Sequence, residues 1–86
     1  MAEKVALEII VNGQSTTVEA SSRAPLHSVI GKTLAETGNT GQPPENWEFR
    51  NEGGVLLDSD EKIGDLGLAA GARLFLNLKA GVGGDA

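Results

Sequence analysis

The sequence predicts a small α+β domain in which one mixed β-sheet carries a single helix across one face. Three observations predict it. Two segments near the start alternate around Asn12-Gly13, the pattern of a β-hairpin. One stretch, from Leu26 to Leu34, then changes to helical spacing. Further alternating segments follow, around Trp47 and around Leu76. At 86 residues the chain has room for one core and no large catalytic cleft. Hydrophobic residues make up 40% but aromatics only 3%, so that core is built from Leu, Ile, Val and Ala.

Each element has a local reason. Val5, Leu7, Ile9 and Val11 point to one side of the first strand, and Ala6, Glu8, Ile10 and Asn12 to the other. Asn12 and Gly13 both tolerate positive φ, and a second strand follows at Ser15 to Ala20 with Thr16, Val18 and Ala20 on one face. Leu26, Val29, Ile30 and Leu34 mark an amphipathic helix of about three turns, with Pro25 suited to its first turn and Gly38-Asn39 ending it. Gly31 inside that helix costs roughly 1 kcal/mol relative to Ala and suggests a close approach to the sheet. Pro43-Pro44 interrupts regular structure and connects the helix to a strand at Trp47 to Arg50, with Trp47 and Phe49 inward. After a turn at Glu52-Gly53-Gly54 comes a short strand, Val55 to Leu57, and then a polar excursion anchored by Ile63, Leu66 and Leu68. In the last strand Leu74, Leu76 and Leu78 alternate against Arg73, Phe75, Asn77 and Lys79.

Hairpin, helix, strand, short strand and long strand make a ββαββ order. A crossover helix lets the final strand lie parallel beside the first, which is the β-grasp arrangement. Residues 1–79 are expected to form this domain and residues 80–86 a mobile tail. No internal repeat or interdomain linker is present.

Composition excludes several functions. Seven Lys and Arg against twelve Asp and Glu leave a formal charge of −5, which argues against nucleic acid or an anionic membrane as partner. There is no Cys, so disulfides, thiolate catalysis and Cys-based zinc sites are excluded, and His27 is the single imidazole. No apolar run approaches the roughly 20 residues of a spanning helix, and Met1 is not followed by a secretory leader. The expectation is a soluble, cytoplasmic protein, monomeric when free, without a cofactor and not an enzyme.

A sequence of local features then points to a family. A helix is followed by Gly and by Pro43-Pro44-Glu45; next come the strand Trp47-Glu48-Phe49-Arg50, a turn at Gly53 and a short strand ending in Asp58. Ile63-Gly64-Asp65-Leu66-Gly67-Leu68 follows, and the last strand runs into a tail carrying Gly83-Gly84. In this order and spacing the chain resembles ubiquitin over nearly its whole length, from Lys4 to Gly84. The absence of Cys, the Gly-rich loops and the short tail look more like the ubiquitin-like modifiers of bacterial conjugation operons than a eukaryotic ubiquitin. The apolar surface patch of the ubiquitin family is replaced at the matching outward positions by Arg50, Phe75 and Asn77.

The resemblance implies a substrate of other enzymes. Its members are adenylated at a terminal glycine carboxylate by an activating enzyme, passed to an enzyme thiol and transferred to amines, commonly of Lys. Carried onto this sequence, Gly83 and Gly84 form the activated end. Asp85 and Ala86 follow it, so the Gly84–Asp85 bond becomes the processing site for a JAB-type metallo-isopeptidase or another peptidase. Glycine suits a segment threading a narrow channel, and the six residues from Lys79 to Gly84 reach roughly 20 Å when extended. The implied partners are an adenylating enzyme, a conjugating enzyme, the peptidase and the target proteins. A sulfur carrier using a Gly84 thiocarboxylate, or a non-conjugated β-grasp interaction module, would share these features.

Other residues have weaker claims. Arg50, Phe75, Asn77, Arg73 and Lys79 are candidates for a partner-binding surface, with Phe75 either centring a patch or half-covered by Arg50. Lys4, Lys32, Lys62 and Lys79 are the full list of acceptor lysines for chains. His27 reads as a surface or half-buried residue without a catalytic role, and Trp47 as a core or edge-packing aromatic. Asp58, Asp60 and Glu61, with Glu45, Glu48 and Glu52, read as a solvated acidic face without EF-hand spacing, and no phosphate-binding glycine loop is present.

Overall fold

Alternation in the sequence becomes burial in the sheet. The computed structural model describes residues 4–80. Strand β1 (Lys4–Val11) buries Val5, Leu7, Ile9 and Val11 and turns through Asn12 (φ 51°) and Gly13 (φ 82°) into β2 (Gln14–Ser21). Two successive positive φ values make the twist-matched hairpin turn that Asn-Gly favours. The pair is antiparallel, with Leu7 opposite Val18 and Val5 opposite Ala20.

Helix α1 spans Ile30–Thr37, shorter than the three turns its apolar spacing predicts. The residues Leu26–Val29 form a tighter 3-10 turn instead. The cause lies in a distant loop: the Leu26 and His27 amides donate to the Glu61 and Ser59 carbonyls (2.9 Å each), while Ser28 N–H returns to Pro25 O (3.0 Å). Pro25 itself precedes the turn in an extended conformation and bridges to Lys62. At the other end Gly38 (φ 73°) closes the helix, with Gly38 N–H on Ala35 O and Asn39 N–H on Leu34 O, a Schellman arrangement. Thr33 and Thr37 face the core, and their hydroxyls donate back to the Val29 (2.7 Å) and Thr33 (2.9 Å) carbonyls, so neither buries an unpaired group. Gly31 does not approach the sheet as expected: it is exposed, and a Cβ there would meet nothing within 4 Å.

Pro44–Asn46 make a 3-10 turn that delivers the chain into β3 (Trp47–Arg50). The two-residue β4 (Leu56–Leu57) pairs antiparallel with β3, and β5 (Ala72–Leu78) is the last strand among the described residues. The sheet has five strands in the order β2-β1-β5-β3-β4, with β5 parallel to β1 and antiparallel to β3. This is a ubiquitin-like β-grasp fold: a mixed sheet with one helix across it. Leu7, Ile9, Val11, Phe49, Leu74 and Leu76 from the sheet meet Leu26, Ile30 and Leu34 from the helical segment, and Ile63 closes the core from the loop before β5. Leu66 and Leu68 pack against its margin.

Candidate functional site

The C-terminal exit is set by β5, the central strand. Its inward Leu74 and Leu76 are fully buried and hold it between β1 and β3. One residue past the strand, Lys79 N–H donates to Asn46 O at 2.8 Å, tying the root of the tail to the turn before β3. Gly83, Gly84 and Asp85 lie outside the described residues, as does the rest of the segment from 81 onward.

The outer face of the sheet carries four of the five residues singled out as a partner surface. Arg50 lies opposite Phe75, and Glu48 opposite Asn77. Ile10 flanks Phe75 on the other side, and Leu56 flanks Arg50. Phe75 is accordingly half-buried and Asn77 exposed. Arg50 is committed locally, donating to Gly54 O (2.9 Å) and approaching Glu48 at 3.4 Å. Arg73 is likewise engaged, with Glu8 at 3.1 Å and Glu52 at 3.7 Å. Pairs this exposed contribute about 0–1 kcal/mol each. Lys79 does not join this group. Arg73 sits at the start of β5 and Lys79 beyond its end, so the two do not form one basic patch.

Lys79 instead lines two clefts at the root of the tail. The first, about 310 Å³, has Ile30, Pro44 and Trp47 as its apolar lining and Glu45, Asp60 and His27 among its polar groups. The second, about 370 Å³, runs along Leu56 and Leu57 and includes Glu48 and Asp58. Trp47, Ser59 and Lys79 border both. His27 is exposed and its Nε2 lies 3.9 Å from Asp60 Oδ1. Asp58 accepts from the Asp60 amide at 3.0 Å, which folds this acidic loop back on itself. Trp47 is only 4% exposed, and its indole N–H is buried without a partner among the described residues. An unpaired buried donor costs about 1–3 kcal/mol.

Sequence reasoning did not find these clefts. Their walls come from the 3-10 turn after Pro25, the Pro-Pro segment and the loop after β4, which no spacing rule connects. The sequence shows only the apolar run Val55-Leu56-Leu57, in which the structure leaves Val55 58% and Leu56 53% exposed. Lys4, Lys32, Lys62 and Lys79 are all exposed, so burial does not single out an acceptor. Among the described residues no three of His, Cys, Asp and Glu converge as a metal site, and no helix is long and apolar enough to cross a membrane.

Comparison with known proteins agrees with the fold. Residues 1–84 match the family described as Protein of Unknown function (DUF2604). The chain is 56% identical over 81 residues to "Uncharacterized protein y4jI" of Sinorhizobium fredii (strain NBRC 101917 / NGR234). That match covers 94% of this chain but 62% of the relative's length. Among solved structures, a de novo design based on ubiquitin superposes with a TM-score of 0.75 at 19% identity, covering 95% of this chain and 96% of the design. The ubiquitin of Caldiarchaeum subterraneum superposes with a TM-score of 0.67 at 24% identity, covering 95% of this chain and 100% of that one.

Proposed function

The chain belongs to the DUF2604 family, and from its ubiquitin-like fold and the di-glycine that follows it we propose that it is a protein modifier, attached to amines through the carboxylate of Gly84. One observation carries the reading. The β-grasp globule is tied down as far as Lys79, and Gly83-Gly84 follow a few residues later, within the segment the family match spans. A folded body bearing a di-glycine at that distance is what an adenylating enzyme needs. The body docks outside, and glycines without Cβ atoms thread the channel to the nucleotide.

The chemistry balances on partner enzymes. A peptidase hydrolyses the Gly84–Asp85 bond and frees the Gly84 carboxylate. That carboxylate attacks the α-phosphorus of ATP, forming an acyl-adenylate and releasing pyrophosphate. An enzyme thiol displaces AMP to give a thioester, and a target amine displaces the thiol to give an isopeptide. The chain itself has no Cys, so every thioester forms on a partner. In this reading the chain is not a catalyst. It needs no cofactor of its own, acts in the cytoplasm and depends on a conjugation system of the bacterial-operon kind.

The test is mass spectrometry of the tagged protein recovered from its host. The expected result is target lysines joined to a C-terminal peptide that ends at Gly84. Retention of Asp85 and Ala86 in every recovered species, with no lysine adduct, would overturn it. A thiocarboxylate on Gly84 in place of adducts would reassign the protein as a sulfur carrier.

A further inference from the structure

We propose that the two clefts at the root of the tail dock a basic segment of the adenylating enzyme, one that carries an apolar anchor side chain. This rests on the modifier reading above and names where the activating partner sits.

Position comes first. Lys79, whose amide is bonded to the globule, borders both clefts, so a protein seated there lies beside the point from which the segment carrying Gly83-Gly84 continues. Charge identifies the occupant. Four carboxylates, Glu45, Asp60, Glu48 and Asp58, line the pair of clefts against the single ammonium of Lys79. Glu48 is shared with Arg50 and Asp60 lies near His27, but Glu45 and Asp58 have no cationic partner among the described residues. Basic side chains on the partner complement that rim, steer the encounter and fix its register.

Apolar and polar features inside the clefts point the same way. Leu56 is 53% exposed along the second cleft, an apolar surface that an anchor side chain would cover. Trp47 is shared by both clefts and carries a buried indole N–H with no acceptor among the described residues. The outer sheet face is less suited to a basic partner, because its Arg73 already engages Glu8 and Glu52.

The experiment measures ATP–pyrophosphate exchange by the host's purified adenylating enzymes, with the form of this protein ending at Gly84 as the varied substrate. Glu45→Lys and Asp60→Lys are compared with Glu19→Lys, an equal charge change on the exposed far edge strand. The expected result is a KM raised about tenfold by each cleft variant, with kcat unchanged and the Glu19 variant within about twofold of the parent. Raising salt should raise the parent's KM and leave the cleft variants nearly flat. Unchanged KM for both charge reversals, while the parent is adenylated, overturns the docking site alone. If no adenylating enzyme accepts the parent, the Gly84 reading falls and this inference with it.

Discussion

Gly31 and Gly38 sit seven positions apart, at opposite ends of one helix, and the structure gives them opposite roles. Gly38 holds φ 73° at the helix end, where an L side chain is strained. Gly31 is helical, exposed and faces open space. Gly31→Ala should therefore stabilise the fold by about 0.5–1 kcal/mol, and Gly38→Ala should destabilise it by about 1 kcal/mol. Urea titration of both variants checks the pair: midpoints that shift in the same direction would contradict the assignment. The sequence shows two glycines in or after an apolar period, and Gly38 was readable as a stop signal because Asn follows it. Gly31 was not readable. Whether a helical glycine faces a neighbour or solvent depends on the rotation of the helix against the sheet, and the shortening of α1 is set by a loop more than 20 residues downstream.

Among the elements, the strands were the most legible and the connections the least. Val5 to Val11 and Trp47 to Phe49 place their apolar residues inward as alternation requires, because a period of two leaves no choice of face once one side is buried. Phe49 is fully buried and Phe75 only half so, across neighbouring strands. Phe49→Ala should cost about 3–5 kcal/mol, a large part of the roughly 4–13 kcal/mol available to a domain of this size. Phe75→Ala should cost about 1–2 kcal/mol and leave the fold intact, and equal losses in denaturant titrations would contradict the two-faced sheet. The loop before β5 is tied more tightly than its polar composition suggests. Gly64 N–H donates to Ser22 O at 2.8 Å, and a Cβ at Gly64 would lie 3.1 Å from that oxygen and 3.3 Å from Ser22 Cβ. Gly64→Ala should therefore destabilise by about 1–2 kcal/mol, read as a lowered thermal midpoint. Nothing local marks this contact, since Ser22 and Gly64 are distant in sequence.

At the scale of the whole molecule, the charge of −5 is not spread evenly in its consequences. Glu8, Glu48 and Glu52 are matched by arginines on the outer sheet face, whereas Glu45, Asp58 and Asp60 collect around the clefts beside Lys79. The fold itself was legible as a whole, because hairpin, crossover helix and a final buried strand admit few chain paths. The cleft was not, because it forms only when the turn after Pro25, the Pro-Pro connector and the loop after β4 meet at the end of the sheet. The globule then places Lys79, bonded to the Asn46 carbonyl, next to that surface.

The central claim is that a freed Gly84 carboxylate is the reactive group. Its most direct measurement compares two forms of the chain, one ending at Gly84 and one retaining Asp85 and Ala86, for ATP-dependent formation of an acyl-adenylate on the host's adenylating enzymes. AMP transfer is expected to the Gly84-ended form only. Equal transfer to both forms, or none to either, would contradict it.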